Sequence, residues 1–353
     1  MTRVIVGMSG GVDSAVAAFL LREKGYEVIG VTLRTWLSED GTESRCCEID
    51  DARRTAMELG IRYYPYNCLK LFEDRVIVPF AKDYVSGLTP NPCIECNRYV
   101  KWGKMQYIAK VLGADYIATG HYAHVVLKEN GRYTVRTADN IAKDQTYMLY
   151  KLTQDQLAST LMPLGGYSKD EVRAIADKAG ISVAHKNDSQ ELCFITSGNH
   201  ADYIDAMKGI AVPPKGSFVD SEGNILGTHK GIHHYTIGQR KGLGIALGTP
   251  KFVTKLRPET DEVVLGDEAD LMSKSVIVRD INLMSIPKLK EELRCNVKIR
   301  YAHKAAPAVI RPEGDGQISI EFDMPVRAAS PGQSAVFYDE EGCVIGGGRI
   351  EFT

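Results

Sequence analysis

Roughly the first 200 positions alternate between short unbroken apolar runs and longer stretches with apolar residues at helical spacing. RVIVGM (3–8) and EVIGVTL (27–33) predict buried strands, and GVDSAVAAFLLREKGY (11–26) predicts a helix ending at Gly25. DDARRTAMELG (50–60) predicts a second helix, IRYYPYN a third strand, and LFEDRVIVPFAKDYVSG (71–87) a third helix. A further helix is expected from Arg98 to Leu112, with GADYIATGH (113–121) as a strand running into a loop. Repeated strand–helix units of this length imply a doubly wound parallel sheet, an α/β fold. HVVLKENGRYTVRTA (124–138) carries an Asn-Gly turn between alternating runs and predicts a hairpin near the sheet edge. KDQTYMLYKL and SKDEVRAIADKAG read as helices.

The texture changes near Ile210. AVPPKG (211–216) is a boundary, and roughly the last 80 residues are strand-like, predicting a small antiparallel β-barrel. The expected division is 1–210, a linking domain over 211–273 and a barrel over 274–353.

A formal charge of −2 excludes a globally basic nucleic-acid binder, so any RNA contact must come from local patches. Residues 274–304 hold eight Lys/Arg against three acids, which offers one such face, and GQRKG (238–242) offers another. The longest early apolar run, Ala15–Leu21, is far short of the roughly 18 residues that span a bilayer. With no apolar core in MTRVIVGMSGG, a cytoplasmic protein with reduced thiols is expected.

VGMSGGVDSAV (6–16) places a glycine turn between a buried strand and a helix start, the layout that holds phosphates. It lacks the lysine of the common nucleoside-triphosphate loop and the spacing of the dinucleotide fingerprint. NPCIECN (91–97) sets Cys93 and Cys96 three apart, and in a reducing compartment such thiols are catalytic or metal-binding. Zinc binding, a redox pair, an iron–sulfur cluster and nucleophilic attack are all open at this point. Cys68, Cys295 and Cys343 lie in strand-like runs and are expected in the core. Cys46 and Cys47 are adjacent in a polar loop. Of two histidines in HYAH, His121 is expected near the nucleotide and His124 at the surface.

SGGVDS resembles the loop of ATP-pyrophosphatases, which cleave ATP between its α and β phosphates and adenylate a carbonyl oxygen. TPNPCIECN, ATGHY, KDQTYMLY, HKNDSQELCFI, HHYTIGQRKGLGI, PGQSAVFY and GGGRIE resemble, in order and nearly end to end, the tRNA-specific 2-thiouridylases (MnmA/TrmU family). The resemblance implies an ATP-pyrophosphatase domain, a small linking domain and a C-terminal barrel. It implies ATP with Mg2+, bound by Gly7, Met8, Ser9, Gly10, Gly11, Val12, Asp13 and Ser14, with Leu33 and Gly120 lining the site. It implies tRNA of the Lys, Glu or Gln type, thiolated at C2 of uridine 34. Asn91, Pro92 and Cys93 would touch the base, and Lys143, Asp144, Gln145, Arg300 and Tyr301 the tRNA. Cys193 would carry a persulfide and Cys96 complete the transfer through a disulfide, fed by a sulfur donor protein or sulfide.

One departure stands out. The family pattern has Asp where this chain has Cys93. Cys93, Cys96 and Cys193 would then suit three ligands of a [4Fe-4S] cluster with an open iron, beside the persulfide relay. A small-molecule ATP-pyrophosphatase and a non-catalytic RNA-binding module are the other functional readings.

Overall fold

The apolar run after Thr2 forms β1 (Arg3–Gly7), with Val4, Ile5 and Val6 fully buried. The structure, a computed structural model, describes residues 1–37, 48–186, 192–196, 198–246 and 248–351. Cys46, Cys47 and residues 187–191 of the HKNDSQELCFI segment lie outside the described residues. β2 (Glu27–Arg34) and β4 (Tyr116–Ala118) flank β1, β3 (Arg62–Asn67) extends the sheet beyond β2, and Thr160–Leu161 extends it beyond β4. Every pairing is parallel. The chain moves outward from β1 on one side and returns on the other, so the carboxyl ends of β1 and β4 open a crevice between them. Doubly wound sheets bind ligands at that switch point. α1 (Val12–Glu23) rises from it.

Three expectations about local structure change. The helix over 71–87 is broken into Leu69–Phe72, a π-helical turn over Glu73–Ile77, and Val78–Val85. Pro79 explains the break, because it has no N–H for the preceding turn. The helix expected from Arg98 begins six residues earlier, at Pro92, with a π-helical turn over Cys96–Trp102 before regular helix resumes at Gly103. KDQTYMLYKL is not an α-helix but two short 3-10 turns, Ile141–Lys143 and Thr146–Leu149. Tyr147 and Tyr150 are fully buried there, and tertiary packing overrides helix propensity.

The linking domain is a four-stranded sheet whose strands include Gly216–Val219 and Phe252–Arg257. From Met272 onward six antiparallel strands close into a barrel around Val278, Ile310, Ile320, Phe322 and Phe337. The hairpin Ala123–Leu127 with Tyr133–Thr137 forms its own two-stranded sheet rather than extending the main one. It reaches the barrel through a bridge between Arg136 and Cys343.

Barrel and parallel-sheet domain share one core, in which Trp102, Tyr147 and Tyr150 pack with Met284, Val336 and Val344. The glycines of GGGRIE permit it: a Cβ on Gly347 would stand 2.8 Å from the Tyr150 ring and 2.7 Å from the Ala335 carbonyl oxygen. Tyr147 donates to the Ser334 carbonyl oxygen at 2.8 Å. Lys151, 7% exposed, binds Glu95 at 2.7 Å and Asp280 of the barrel at 2.5 Å. Burial works against its charge, but Tyr150, Glu95 and Asp280 outweigh that and raise its pKa. Glu95 lies between the two cysteines of C-I-E-C, so the barrel reaches the thiol turn through one lysine.

Replacing Lys151 with Met is expected to destabilise the protein by about 2 kcal/mol. That is below the roughly 3–5 kcal/mol of a fully buried pair, because Glu95 and Asp280 keep water contact. Chemical denaturation with and without the substitution measures it.

Candidate adenylation and sulfur-transfer site

The loop after β1 is held open by its own side chains. The Ser9 N–H donates to Ser14 Oγ at 3.1 Å, and Ser14 Oγ donates to the Gly11 carbonyl oxygen at 3.0 Å. Gly10 has φ +82°, and a Cβ there would meet the Glu48 carbonyl oxygen at 2.7 Å. Gly11 is the N-cap of α1 and offers no side-chain cap, so the helix N–H groups near Val12, Asp13 and Ser14 remain directed at the crevice. Met8 extends β1 by donating to the Val31 carbonyl oxygen at 2.8 Å. A Cβ at Gly120 would stand 2.8 Å from both Asp13 C and Ser14 N, so β4's exit loop lies directly on the phosphate loop. Leu33, near the end of β2, packs between two apolar clusters of the catalytic domain.

Sequence reasoning missed two lysines at this loop. Lys169, 7% exposed, donates to both carboxylate oxygens of Asp13 at 2.8 and 2.9 Å, and Tyr122 donates to Asp13 Oδ1 at 2.6 Å. Lys169 is the first residue of the helix Lys169–Lys178, which Ser168 and Glu171 cap reciprocally. Lys186 pairs with Glu48 and Asp51 beside Gly10, and burial lowers its pKa. A loop without lysine therefore has two supplied from more than 150 residues away. Lys169 reads as an ordinary helix-end lysine, and Lys186 lies in the HKNDSQELCFI segment without a spacing that ties it to the loop.

His121 joins this loop to the thiols. Its Nδ1 lies 2.8 Å from Thr119 Oγ1, and its ring centroid is 5.3 Å from that of Trp102, on the helical run that carries Cys96. Burial first, and then the Lys101 charge, hold the His121 imidazole well below its usual pKa, so it is neutral. His124 pairs with the exposed Asp139 at 2.9 Å.

The thiol turn starts at Asn91, whose side chain accepts from the Cys93 N–H at 3.1 Å, followed by buried Pro92. Cys96 is not just ahead of a helix, as the sequence suggests, but one turn inside it. Arg98 lies over the Tyr99 ring, 4.8 Å from its centroid. Cys96 and Cys193 pack on the same apolar wall, which includes Phe72, Phe80 and Phe194. Cys68 is buried in that wall, and Cys295 and Cys343 are buried in the barrel region. Burial pushes the Cys295 thiol up to about 12. Cys295 and Cys343 are free thiols. Cys93 and Cys96, three apart on one helical run, share a face. Cys193 reaches that region of the fold through the apolar wall it shares with Cys96. Among the described residues, tight trios of single-ion ligand atoms occur at Asp205–His233–His234 and Asp339–Glu341–Cys343.

The residues expected at tRNA fall into two kinds. Tyr301 is 40% exposed, with the Lys298 ammonium 5.3 Å from its ring centroid. Burial, then the Asp144 and Cys93 charges, raise the Tyr301 pKa. Asp144, by contrast, is 6% exposed and accepts from the Ala138 and Thr146 N–H groups and the Thr146 hydroxyl. Gln145 accepts from the Tyr122 N–H, and Lys143 is half-buried at the end of its turn. Arg300 is largely buried and donates to Ser330 Oγ and, at 2.8 Å, to the Ile237 carbonyl oxygen. The basic face over 274–304 is smaller than its composition suggests, because Arg279 pairs with Glu351 and Arg294 with Asp323.

Family models match three successive segments: a tRNA methyl transferase HUP domain over residues 2–197, a tRNA methyl transferase PRC-barrel domain over 204–267, and an aminomethyltransferase beta-barrel domain over 273–350. The tRNA-specific 2-thiouridylase MnmA of Lachnoclostridium phytofermentans is 51% identical over 357 residues, covering 99% of each chain. The protein of the same name from Clostridium botulinum Alaska E43 is 50% identical, covering 99% of this chain and 98% of that one. Among solved structures, the U34-tRNA thiolase NcsA of Methanococcus maripaludis with its [4Fe-4S] cluster is 23% identical at a TM-score of 0.37, covering 55% of this chain and 61% of that one.

Replacing Lys169 with Met removes charge-assisted hydrogen bonds of roughly 1.5–3 kcal/mol from Asp13. The expected result is a fall of about 10- to 100-fold in kcat/KM for ATP, measured as pyrophosphate release, with the circular dichroism spectrum retained.

Proposed function

The chain belongs to the tRNA-specific 2-thiouridylase family, and from that premise we propose that it replaces the C2 oxygen of the wobble uridine, U34, in tRNAs of the Lys, Glu and Gln type with sulfur. The observation that carries the reading is a half-identical match over 99% of the chain to 2-thiouridylases of nearly equal length. The family-model description speaks of methyl transfer. A phosphate loop at the sheet's switch point, joined through His121 to a turn of thiols, suits activation by ATP followed by sulfur attack.

The uracil C2 carbonyl is a poor electrophile. In the proposed reaction its oxygen attacks the α-phosphorus of ATP, pyrophosphate leaves, and the oxygen is held as an adenylate. Sulfur then attacks C2 and AMP departs with the original oxygen. The N–H groups around Gly10–Ser14 take the phosphates, with Lys169 and Lys186 close enough to balance their charge. Mg2+ would be held mainly by the phosphates, with Asp13 as the carboxylate of the loop. Neutral His121 cannot add a competing positive charge at this junction. We assign adenylation to residues 1–210, bridging to 211–273 and part of the tRNA grip to 274–353, with Tyr301 beside Cys93 at the base.

Two sulfur carriers use the same thiols. The shared apolar wall of Cys96 and Cys193 favours a relay, in which the Cys193 persulfide gives up its outer sulfur and Cys96 resolves the chain as a disulfide. The third thiol, Cys93, favours a cluster, since it completes a three-cysteine donor set. When bound, such a cluster would offer an open iron to hydrosulfide.

The protein is expected to form AMP and pyrophosphate only with unmodified tRNA and a sulfur source, with Cys96→Ser reducing thiolation to background. Release of ADP and phosphate instead would overturn the adenylation chemistry, and full activity in Cys96→Ser would point to a small-molecule ligase. Iron and sulfide analysis after anaerobic purification, paired with Cys93→Asp, separates the carriers. Brown protein that loses colour in Cys93→Asp assigns the cluster. Colourless protein active with a persulfide donor assigns the relay.

A further inference from the structure

Residues 223–258 hold six Lys/Arg, at 230, 240, 241, 251, 255 and 257, and no Asp or Glu. At the average acid content of this chain, about four or five acids would fall there. Lys251 is matched by Asp267 at 2.9 Å and Arg257 by Glu262 at 2.9 Å. Arg240 and Lys241 are exposed and, among the described residues, have no carboxylate partner. Arg240 lines a cavity of about 600 Å3 together with Gly242, Gly244, Thr249 and Lys251. Glycines 242, 244 and 248 take left-handed backbone there, which turns the chain around the cavity without side chains to fill it.

The base of this loop is rigidly tied. Gly238 donates to the Val253 carbonyl oxygen at 2.8 Å and Val253 returns a bond to Gln239 at 2.9 Å. Arg300 holds the Ile237 carbonyl oxygen, and a Cβ on Gly238 would meet Ala328 at 3.0 Å. The loop is thus fixed to the barrel through Arg300, the residue before the exposed Tyr301. Positive charge continues across that junction: burial, then Arg300, Arg327 and Lys298, depress the pKa of His303.

Exposed unpaired cations on a fixed, open, acid-free loop match an extended anion. Because that loop is tied to Arg300, beside Tyr301 of the proposed tRNA contacts, the anion is the backbone of the same RNA. We propose that the Arg240–Lys241 loop of the linking domain is a second RNA-contact site, which grips phosphodiesters flanking the target base. The inference rests on the tRNA-substrate reading above. Phosphate contacts of this kind fix register and orientation on the RNA without reading its sequence.

The test uses the full chain and unmodified tRNA, with affinity measured by fluorescence anisotropy across a salt series. In R240A/K241A the slope of log K against log salt is expected to become shallower by about 1.5–2, as two lost phosphate contacts require. Affinity near physiological salt falls at least about fivefold, R240E/K241E falls further, and the thermal midpoint is kept. A wild-type slope and affinity in both variants overturns the loop assignment and leaves the tRNA reading standing. Wild-type protein that fails to bind tRNA at all overturns both. Loss of folding in the double variants is met by R240Q and K241Q separately, each expected to reduce the slope by about 1 or less; unchanged slopes in both overturn the assignment.

Discussion

The thiol turn depends on one buried cation. Lys151 has almost no water around it, so its charge must be matched by protein, and its two partners come from different domains. Glu95 belongs to the C-I-E-C turn and Asp280 to the barrel. A buried charge that loses a partner becomes costly, so docking of the barrel and placement of the cysteines are a single constraint. The aromatic floor reinforces it, because Tyr147 and Tyr150 fit flush against Ser334 and Gly347 only when the barrel is in place.

A comparable arrangement governs the nucleotide end. The glycine loop has helix N–H groups and little else, and its one carboxylate is held by Lys169 and Tyr122. The cations stand on separate elements and pair with carboxylates beside the loop. In the proposed reaction they would lie near the charge that develops on departing pyrophosphate. Gly120, His121 and Trp102 then connect the loop to the helix of Cys96, so activation and sulfur delivery share a wall.

Much of this was legible in the sequence. The strand–glycine–helix order of 3–23 located the phosphate loop, and the alternating runs after 274 located the barrel. One expectation about local structure failed for a physical reason. KDQTYMLYKL has helical spacing, but its tyrosines are drawn into an inter-domain core and the backbone follows in tight turns. The burial of Arg300 and Asp144 was not legible either: the Arg300 guanidinium ties a linking-domain carbonyl to the barrel, and Asp144 uses its oxygens to close its own turn.

Local chemistry fixed the elements and the reactive groups: glycines where the backbone needed them, thiols three apart, and apolar periods for sheet and barrel. These depend on neighbours in the chain, so they can be read from order alone. The partners of Asp13 and Glu95 were decided only by the tertiary structure. Lys169 and Lys151 lie 156 and 56 residues from them. A charge finds such a partner only after the sheet and barrel have folded, and nothing in local spacing encodes which distant side chain will be buried against it.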